Sequence, residues 1–249
     1  MADILSGFGN YLIFSFNFFK KISCLYKRFF EILRQFVKII YSSVFLIFIT
    51  SAFTGMVSAL QAVYQTRGYI PKDFIGVMIE KATMIELAPV LTGLVLSGKI
   101  GASLATEIAG MKTTKQIDAL KTMSISPYSF LYFPRIAACI ILFPILTLFS
   151  NFVGILSAYL LAILKYNISF HTFFYNMRNF FIPMDFQSGI IKSIFFGFFI
   201  GTISTYIGSQ SSSGSEGVGK AATNAVIYSS ISVLIMDFVV AGVLFGTTI

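Results

Sequence analysis

The sequence predicts an all-α integral membrane protein. It should have an N-terminal interfacial helix, five transmembrane helices, and a short charged helix on the cytoplasmic side between spans two and three. Three observations carry this expectation. The chain is 56% hydrophobic and only 11% charged, against about 25% charged in soluble domains. Its charges flank long uncharged runs, of which 39–66, 136–164 and 193–215 hold 28, 29 and 23 residues; each is enough for a crossing of roughly 20 residues. One island, Glu107 to Leu120, is charged and amphipathic amid apolar sequence.

Taken in order, residues 4–35 alternate Phe, Tyr, Leu and Ile with Lys20, Lys21, Lys27, Arg28 and Arg34. That is the pattern of a helix lying in the interface with its basic residues toward lipid headgroups. The chain is expected to form one domain, 1–249, made of this 1–35 interfacial helix and a 36–249 transmembrane bundle. Span one occupies the uncharged run after Lys38. Span two covers about 83–110 and contains Glu86, Lys99 and Glu107. Span three follows Arg135, with Pro134 just before it, where a missing N–H is cheap. Span four lies between Lys192 and Glu216, and span five runs from about 222 to 246 with Asp237 inside it.

The net charge of +8 falls in the connections, which suits orientation and anionic lipid contact and not nucleic-acid binding. An N-terminus inside the cell collects Lys20, Lys21, Lys27, Arg28, Arg34, Lys38, Lys112, Lys115, Lys121, Arg135 and Lys220 on the inner side. Arg67, Lys72, Lys81, Lys165, Arg178 and Lys192 fall outside. Eleven against six favours a cytoplasmic N-terminus and a C-terminus on the far side. Cys24 and Cys139 read as free thiols. A basic n-region and an A-x-A site are missing at the start, so no cleaved signal peptide is expected.

Small residues indicate how the spans pack. Gly93, Ser97, Gly101, Ala105 and Ala109 repeat every four residues in span two. Gly189, Ser193, Gly197, Gly201, Thr205 and Ser209 do the same in span four. Such stripes let helix backbones approach closely in lipid. Spans two and four are therefore expected inside the bundle, with spans one and three facing lipid.

The charged island reads as a helix. Thr113 and Gln116 have capping-box spacing, and Asp118 lies three residues from both Lys115 and Lys121, spacings worth a few tenths of a kcal/mol each. Pro127 should stop it. Its apolar face (Ile117, Leu120, Met123) has no core of its own and calls for the bilayer surface or another protein.

Intramembrane charges mark functional candidates. Lys99, Ser103 and Glu107 share one helical row with about 12 Å between its ends, so ion pairing, gating or headgroup contact, and proton relay all stay open. Asp237 reads as a polar partner for a neighbouring span. Two motifs mislead. Gly214-x4-Gly219-Lys220 lacks the Ser or Thr of a phosphate loop, since Ala221 follows. Gly217-x-Gly219-x-x-Ala222 lacks the βαβ setting of a dinucleotide site. Both read as a flexible glycine–serine turn before the last span. His171, the only histidine, cannot form a metal cluster alone, and no catalytic constellation is readable. The chain is not expected to be an enzyme.

At this point a resemblance becomes specific. Ala88-Pro-Val-Leu91, Ser97-Gly-Lys-Ile-Gly-Ala102, Glu107, Met111, Gln116-Ile-Asp-Ala-Leu120, Pro127 and Pro134-Arg135 resemble the hallmark block of MlaE-type permeases. Gly214-Ser-Glu-Gly-Val-Gly-Lys-Ala-Ala-Thr223, followed by Ala225 and Val226, resembles the second block. The resemblance implies the membrane subunit of an ATP-binding-cassette transporter in a bacterial inner membrane, with a periplasmic C-terminus. It implies a homodimer with two cytoplasmic ATPase subunits and a periplasmic MCE-domain lipid-binding partner. Together these move phospholipid between inner and outer membranes and maintain outer-membrane lipid asymmetry. ATP and magnesium would sit on the ATPase, with no cofactor on this chain. Thr114, Lys115, Gln116, Ile117, Asp118, Ala119 and Leu120 would form the coupling helix that docks in it. A lipid-sized cavity at the dimer interface would be lined by spans one, two and five. Family members carry Arg at Lys99, Glu at Lys115 and Gly at Ser124. Two other classes compete: an ion-coupled secondary carrier using Lys99, Glu107 and Asp237, and a passive membrane anchor.

Overall fold

The computed structural model describes residues 2–21, 26, 28–66, 71 and 74–246, with backbone alone at 2–6 and 8. Cys24, Lys27, Arg67 and Lys72 lie outside the described residues. The helices are α1 Ala2–Lys20, α2 Phe29–Gln65, α3 Ile75–Thr113, α4 Gln116–Thr122, α5 Tyr128–Tyr166, α6 Phe170–Asn179, α7 Pro183–Gln210 and α8 Ser215–Phe245. There is no strand among the described residues. Helices α2, α3, α5, α7 and α8 are long and apolar enough to cross a membrane, so the fold is an all-α membrane protein with an added N-terminal helix.

The residues group into two compact units. The first comprises Met1–Tyr41, Gly93–Leu142 and Ile194–Met236. Its core joins Phe18, Ile32, Ile108, Ile117, Leu131, Phe133 and Ile136. Helix α1 is fixed by specific contacts. Phe18 stacks on Phe133 at 5.0 Å, the Tyr128 hydroxyl donates to the Phe14 carbonyl at 2.7 Å, and Tyr11 shares a 2.9 Å hydrogen bond with Thr202. Burial pushes the Tyr11 hydroxyl above its ordinary pKa, so it stays neutral. Leu12, Ile13, Phe16 and Phe19 are exposed, the apolar face that an interfacial helix turns to lipid. The expected 4–35 segment is thus two elements, because Phe29 already begins the first spanning helix.

Close approaches in this unit fall on the small-residue rows and at Gly208 beside them. A Cβ on Gly197 would lie 2.7 Å from the Cys139 carbonyl, one on Gly201 would lie 3.2 Å from the Ile136 backbone, and one on Gly208 would lie 2.8 Å from the Ala105 carbonyl. Gly93 would meet Phe196 at 3.0 Å and Gly101 would meet Ser204 at 3.3 Å. Ser97 is buried and shares a 2.7 Å hydrogen bond with Ser230.

The second unit comprises Ser42–Thr92, Phe143–Ser193 and Asp237–Ile249. Ile75, Ile79, Ala158, Ala162 and Phe173 form its core. Gly55 abuts the Gly154 carbonyl, Gly76 the Phe173 carbonyl and Gly189 the Met84 carbonyl, so no Cβ fits at any of the three. Helix α6 was not anticipated. It starts where Ser169 Oγ accepts from the Thr172 amide at 3.1 Å, an N-cap, and it buries Phe173 completely. His171 lies on α6 and stacks on Tyr175 at 4.8 Å.

Exposure corrects the expected lipid-facing spans. Helix α5, span three, is the most buried, with 61% of its apolar window inside the chain, against 22% for α2 and 17% for α8. Phe, Leu and Ile content cannot sort a lipid face from a core face, because lipid tails are as apolar as leucine. The last span also starts earlier than expected. Helix α8 begins at Ser215, and the turn before it reduces to 211–214, with Gly214 at φ 99°.

Candidate functional site

Three features gather the chemistry of this chain: a charge cluster in each unit and the surface helix α4. The first cluster begins with a proline. Pro89 has no N–H to give the carbonyl four residues back, at Ile85, and its ring crowds that oxygen. Helix α3 opens there into a π-turn, Thr83–Leu87, a distortion common at functional sites. Lys192 of α7 takes the released acceptor, with Nζ 3.2 Å from Ile85 O. The same ammonium donates to Glu86 Oε1 at 2.6 Å and lies 2.8 Å from Asp237 Oδ1. The Asp237 contact is ionic and is not aligned as a hydrogen bond. Lys192 is fully buried, while the Glu86 and Asp237 side chains are 44% and 22% exposed.

This corrects the placement of Lys192 in an outer connection. It sits inside a spanning helix, because hydrogen bonds to Glu86 and the Ile85 carbonyl, with an ionic contact to Asp237, offset the cost of burying its ammonium. Lys81, also assigned to a connection, lies in α3 and pairs with the buried Asp185 at 2.7 Å. Asp237 does find a neighbouring span, as expected.

The second cluster repeats the pattern. A π-turn at Tyr128–Tyr132 precedes Pro134, and Arg135 Nη1 donates to the Leu131 carbonyl at 2.6 Å. Arg135 Nη2 donates to Glu107 Oε1 at 2.6 Å, and Lys38 Nζ donates to Glu107 Oε2 at 2.7 Å. Arg135 is buried. One carboxylate thus ties α2, α3 and α5 together. Lys99 does not pair with Glu107. It lies in a third π-turn, Ser97–Gly101, half-buried and with no ion pair among the described residues.

Helix α4 projects from this unit on a tight linkage. Its N-cap, Lys115, adopts φ 60° and makes no side-chain cap. The expected capping box is absent, because Thr113 still belongs to α3 and its hydroxyl bonds back to Ala109 O at 3.0 Å. Asp118 holds Lys115 at 3.7 Å and Lys121 at 3.6 Å, as the spacing implied. The helix stops before Pro127. Ser124 at φ 59° donates to Lys121 O at 3.0 Å, and the Ile125 amide donates to Leu120 O at 2.9 Å, the pattern of a Schellman cap.

Only part of the expected apolar face of α4 is free. Ile117 is buried in the chain's own core, Leu120 is half-buried and Met123 is exposed. Thr114, Lys115, Gln116, Asp118 and Ala119 are exposed. Beneath the helix Lys112 Nζ donates to the Ser209 carbonyl at 2.8 Å. A cavity of about 290 Å³ opens there beside Ile117, Asp118 and Tyr128. Ile117 and Lys112 root the helix, and its charged side faces away from the chain.

Nothing in these clusters resembles a nucleophile with its base, and no group of metal-ligating side chains occurs among the described residues. What the arrangement can do is hold helices by charge at points where their backbones are unwound. The fold and these clusters define a multi-pass helical membrane protein whose helices are tied by buried charge.

Comparison with known proteins narrows that class. Residues 32–243 match the MlaE permease family, and the chain belongs to it. A probable ABC transporter permease protein of Rickettsia felis is 37% identical over 86% of this chain and 83% of its own length. A probable ABC transporter permease protein of Pyropia yezoensis is 36% identical over 80% and 76%. Protein TRIGALACTOSYLDIACYLGLYCEROL 1 of Arabidopsis thaliana, a chloroplast protein, is 34% identical over 79% of this chain and 56% of its own length. The chain is an ABC transporter permease by family, and a secondary carrier built on Lys99, Glu107 and Asp237 is not favoured.

Proposed function

We propose that this chain is the permease subunit of an ATP-binding-cassette transporter that moves phospholipid between the inner and outer membranes of a bacterium. It works as a homodimer in the inner membrane, with the N-terminus cytoplasmic. Two ATPase subunits dock on α4 and bind the ATP and magnesium, and a periplasmic MCE-domain protein hands lipid on. The observation that carries this reading is α4 itself, a helix with an outward charged side, rooted by Ile117 and Lys112. Such a lever passes movement of a docked partner into α3 and α5, the two helices it links.

Two further features support it. Helices α2 and α8 leave most of their apolar surface uncovered within one chain, which suits a dimer cavity with apolar walls for acyl chains. The Arabidopsis relative carries a galactosylated diacylglycerol in its name, a lipid by chemistry. In this reading the Glu86–Lys192–Asp237 cluster and Lys99 bias the helix positions that open and close the cavity.

The test is reconstitution of the chain with its genome-encoded ATPase and MCE partners, followed by transfer of fluorescent phospholipid from donor proteoliposomes to acceptor vesicles. Transfer that needs ATP and all three components supports the proposal. Equal transfer without ATP, driven by an ion gradient, sinks it.

A further inference from the structure

We propose that the cavity around Arg34, Gln35 and Arg135 binds one anionic phospholipid through a phosphodiester headgroup bearing a hydroxyl, as in phosphatidylglycerol. This site is separate from the Glu86–Lys192–Asp237 cluster, and it requires only that the chain lies in a membrane. The cavity measures about 560 Å³, within the range of small-ligand sites. Three helices wall it: α2 with Arg34, Gln35 and Lys38, α3 with Glu107, and α5 with Phe130 and Arg135.

Its polar groups are only partly satisfied from within the chain. Arg135 is 4% exposed. Its Nη1 donates to the Leu131 carbonyl and its Nη2 to Glu107, but its Nε–H has no acceptor among the described residues. The Gln35 side-chain oxygen is likewise buried without a donor. Buried donors and acceptors are almost always paired, so an orphan of each kind in one cavity asks for a ligand that offers both. A phosphodiester oxygen answers Arg135 Nε, and a headgroup hydroxyl answers Gln35 Oε1.

Charge selects the anion. Glu31 is matched by Arg28 at 3.1 Å, and Glu107 is shared between Lys38 and Arg135. Arg34 has no ion pair among the described residues. Counting these pairs leaves the cavity positive, and a phosphodiester, with its planar match to guanidinium donors, is the natural complement. Position then selects a lipid over a free phosphate. Lys38 is the last charge before the uncharged run 39–66 of α2, which sets the cavity at headgroup depth. Phe30, Leu33, Val37 and Tyr41 run exposed along the same helix and offer the acyl chains an apolar track.

The experiment is native mass spectrometry of the full-length chain in its purified complex, titrated with phosphatidylglycerol or phosphatidylethanolamine of equal chain length. The first phosphatidylglycerol is expected to bind about tenfold more tightly than phosphatidylethanolamine. That preference should fall about tenfold in Arg34→Gln combined with Gln35→Leu, the effect of losing one charge-assisted hydrogen bond. Arg34→Lys alone should lower it by about threefold, and it decides the matter if the double variant folds poorly. Equal binding of the two lipids, or an unchanged preference in the variants, would overturn the proposal. Displacement of the bound lipid by millimolar glycerol 3-phosphate or inorganic phosphate would also overturn it, since the site would then be one for a free phosphate compound.

Discussion

Lys192 Nζ stands 3.2 Å from the Ile85 carbonyl oxygen, the acceptor that Pro89 leaves without its helical donor. Arg135 makes a related contact: it donates to the carbonyl of Leu131, within the Tyr128–Tyr132 π-turn of its own helix. In both places a buried cation bonds a carbonyl of a π-turn while holding a carboxylate. Such points are stable only while every partner is present, and this makes them sensitive to substitution.

Lys192→Leu is therefore expected to destabilise the protein by about 2–4 kcal/mol, because Glu86, Asp237 and the Ile85 carbonyl lose their common partner. Adding Asp237→Leu should restore part of that loss. The measurement is a double-mutant cycle in detergent unfolding, with a coupling energy above about 1 kcal/mol expected for the contacting pair. Additive losses would show that the two residues do not interact.

The second cluster predicts an asymmetry between its members. Glu107→Gln strips the buried Arg135 of its counter-charge and should cost about 2–4 kcal/mol. Lys38→Gln removes a side chain that is 58% exposed and should cost less than about 1 kcal/mol. Thermal unfolding of the two variants side by side checks the order.

Two glycines separate packing from propensity. Gly197→Ala forces a methyl group against the Cys139 carbonyl at 2.7 Å and should destabilise by about 1–3 kcal/mol. Gly219→Ala, on exposed α8 surface with nothing within 4 Å, should be neutral or stabilising by up to about 1 kcal/mol. The same unfolding assay reads both.

Ser124 holds the left-handed position of the α4 cap at φ 59°, where a side chain costs roughly 1–2 kcal/mol. Ser124→Gly should recover about 1 kcal/mol, less the entropy glycine loses on folding. Hydrogen exchange at the Ile125 amide should slow accordingly, since that amide closes the cap.

Much of this architecture was legible in the sequence. Uncharged runs located the spans, since water cannot satisfy a backbone inside lipid and helices must. The Gly197 and Gly201 rows lie at close helix contacts, as four-residue spacing implied. The counting failed at Lys192, where a charge was read as the edge of a span. Its partners Glu86 and Asp237 are distant in sequence, so the pairing shows only in three dimensions. Three charges of mixed sign within apolar sequence were the available clue. Helix α6 was missed although Ser169 and Thr172 have cap spacing, because ten residues with one buried phenylalanine carry little periodic signal. For α4 the charge pairs were readable but the root was not, since burial of Ile117 depends on α5 folding beside it.

In the proposed function α4 receives an ATPase. Asp118 is exposed and balances Lys115 and Lys121, so Asp118→Arg inverts the charge of that surface without touching the core. The direct measurement is copurification of wild type and Asp118→Arg with the ATP-binding-cassette subunits encoded in the same genome, after equal membrane insertion is verified. An ATPase should come down with the wild type and be lost from the variant. A well-inserted wild type that brings down no ATPase, or a variant that retains it fully, would rule out docking on α4.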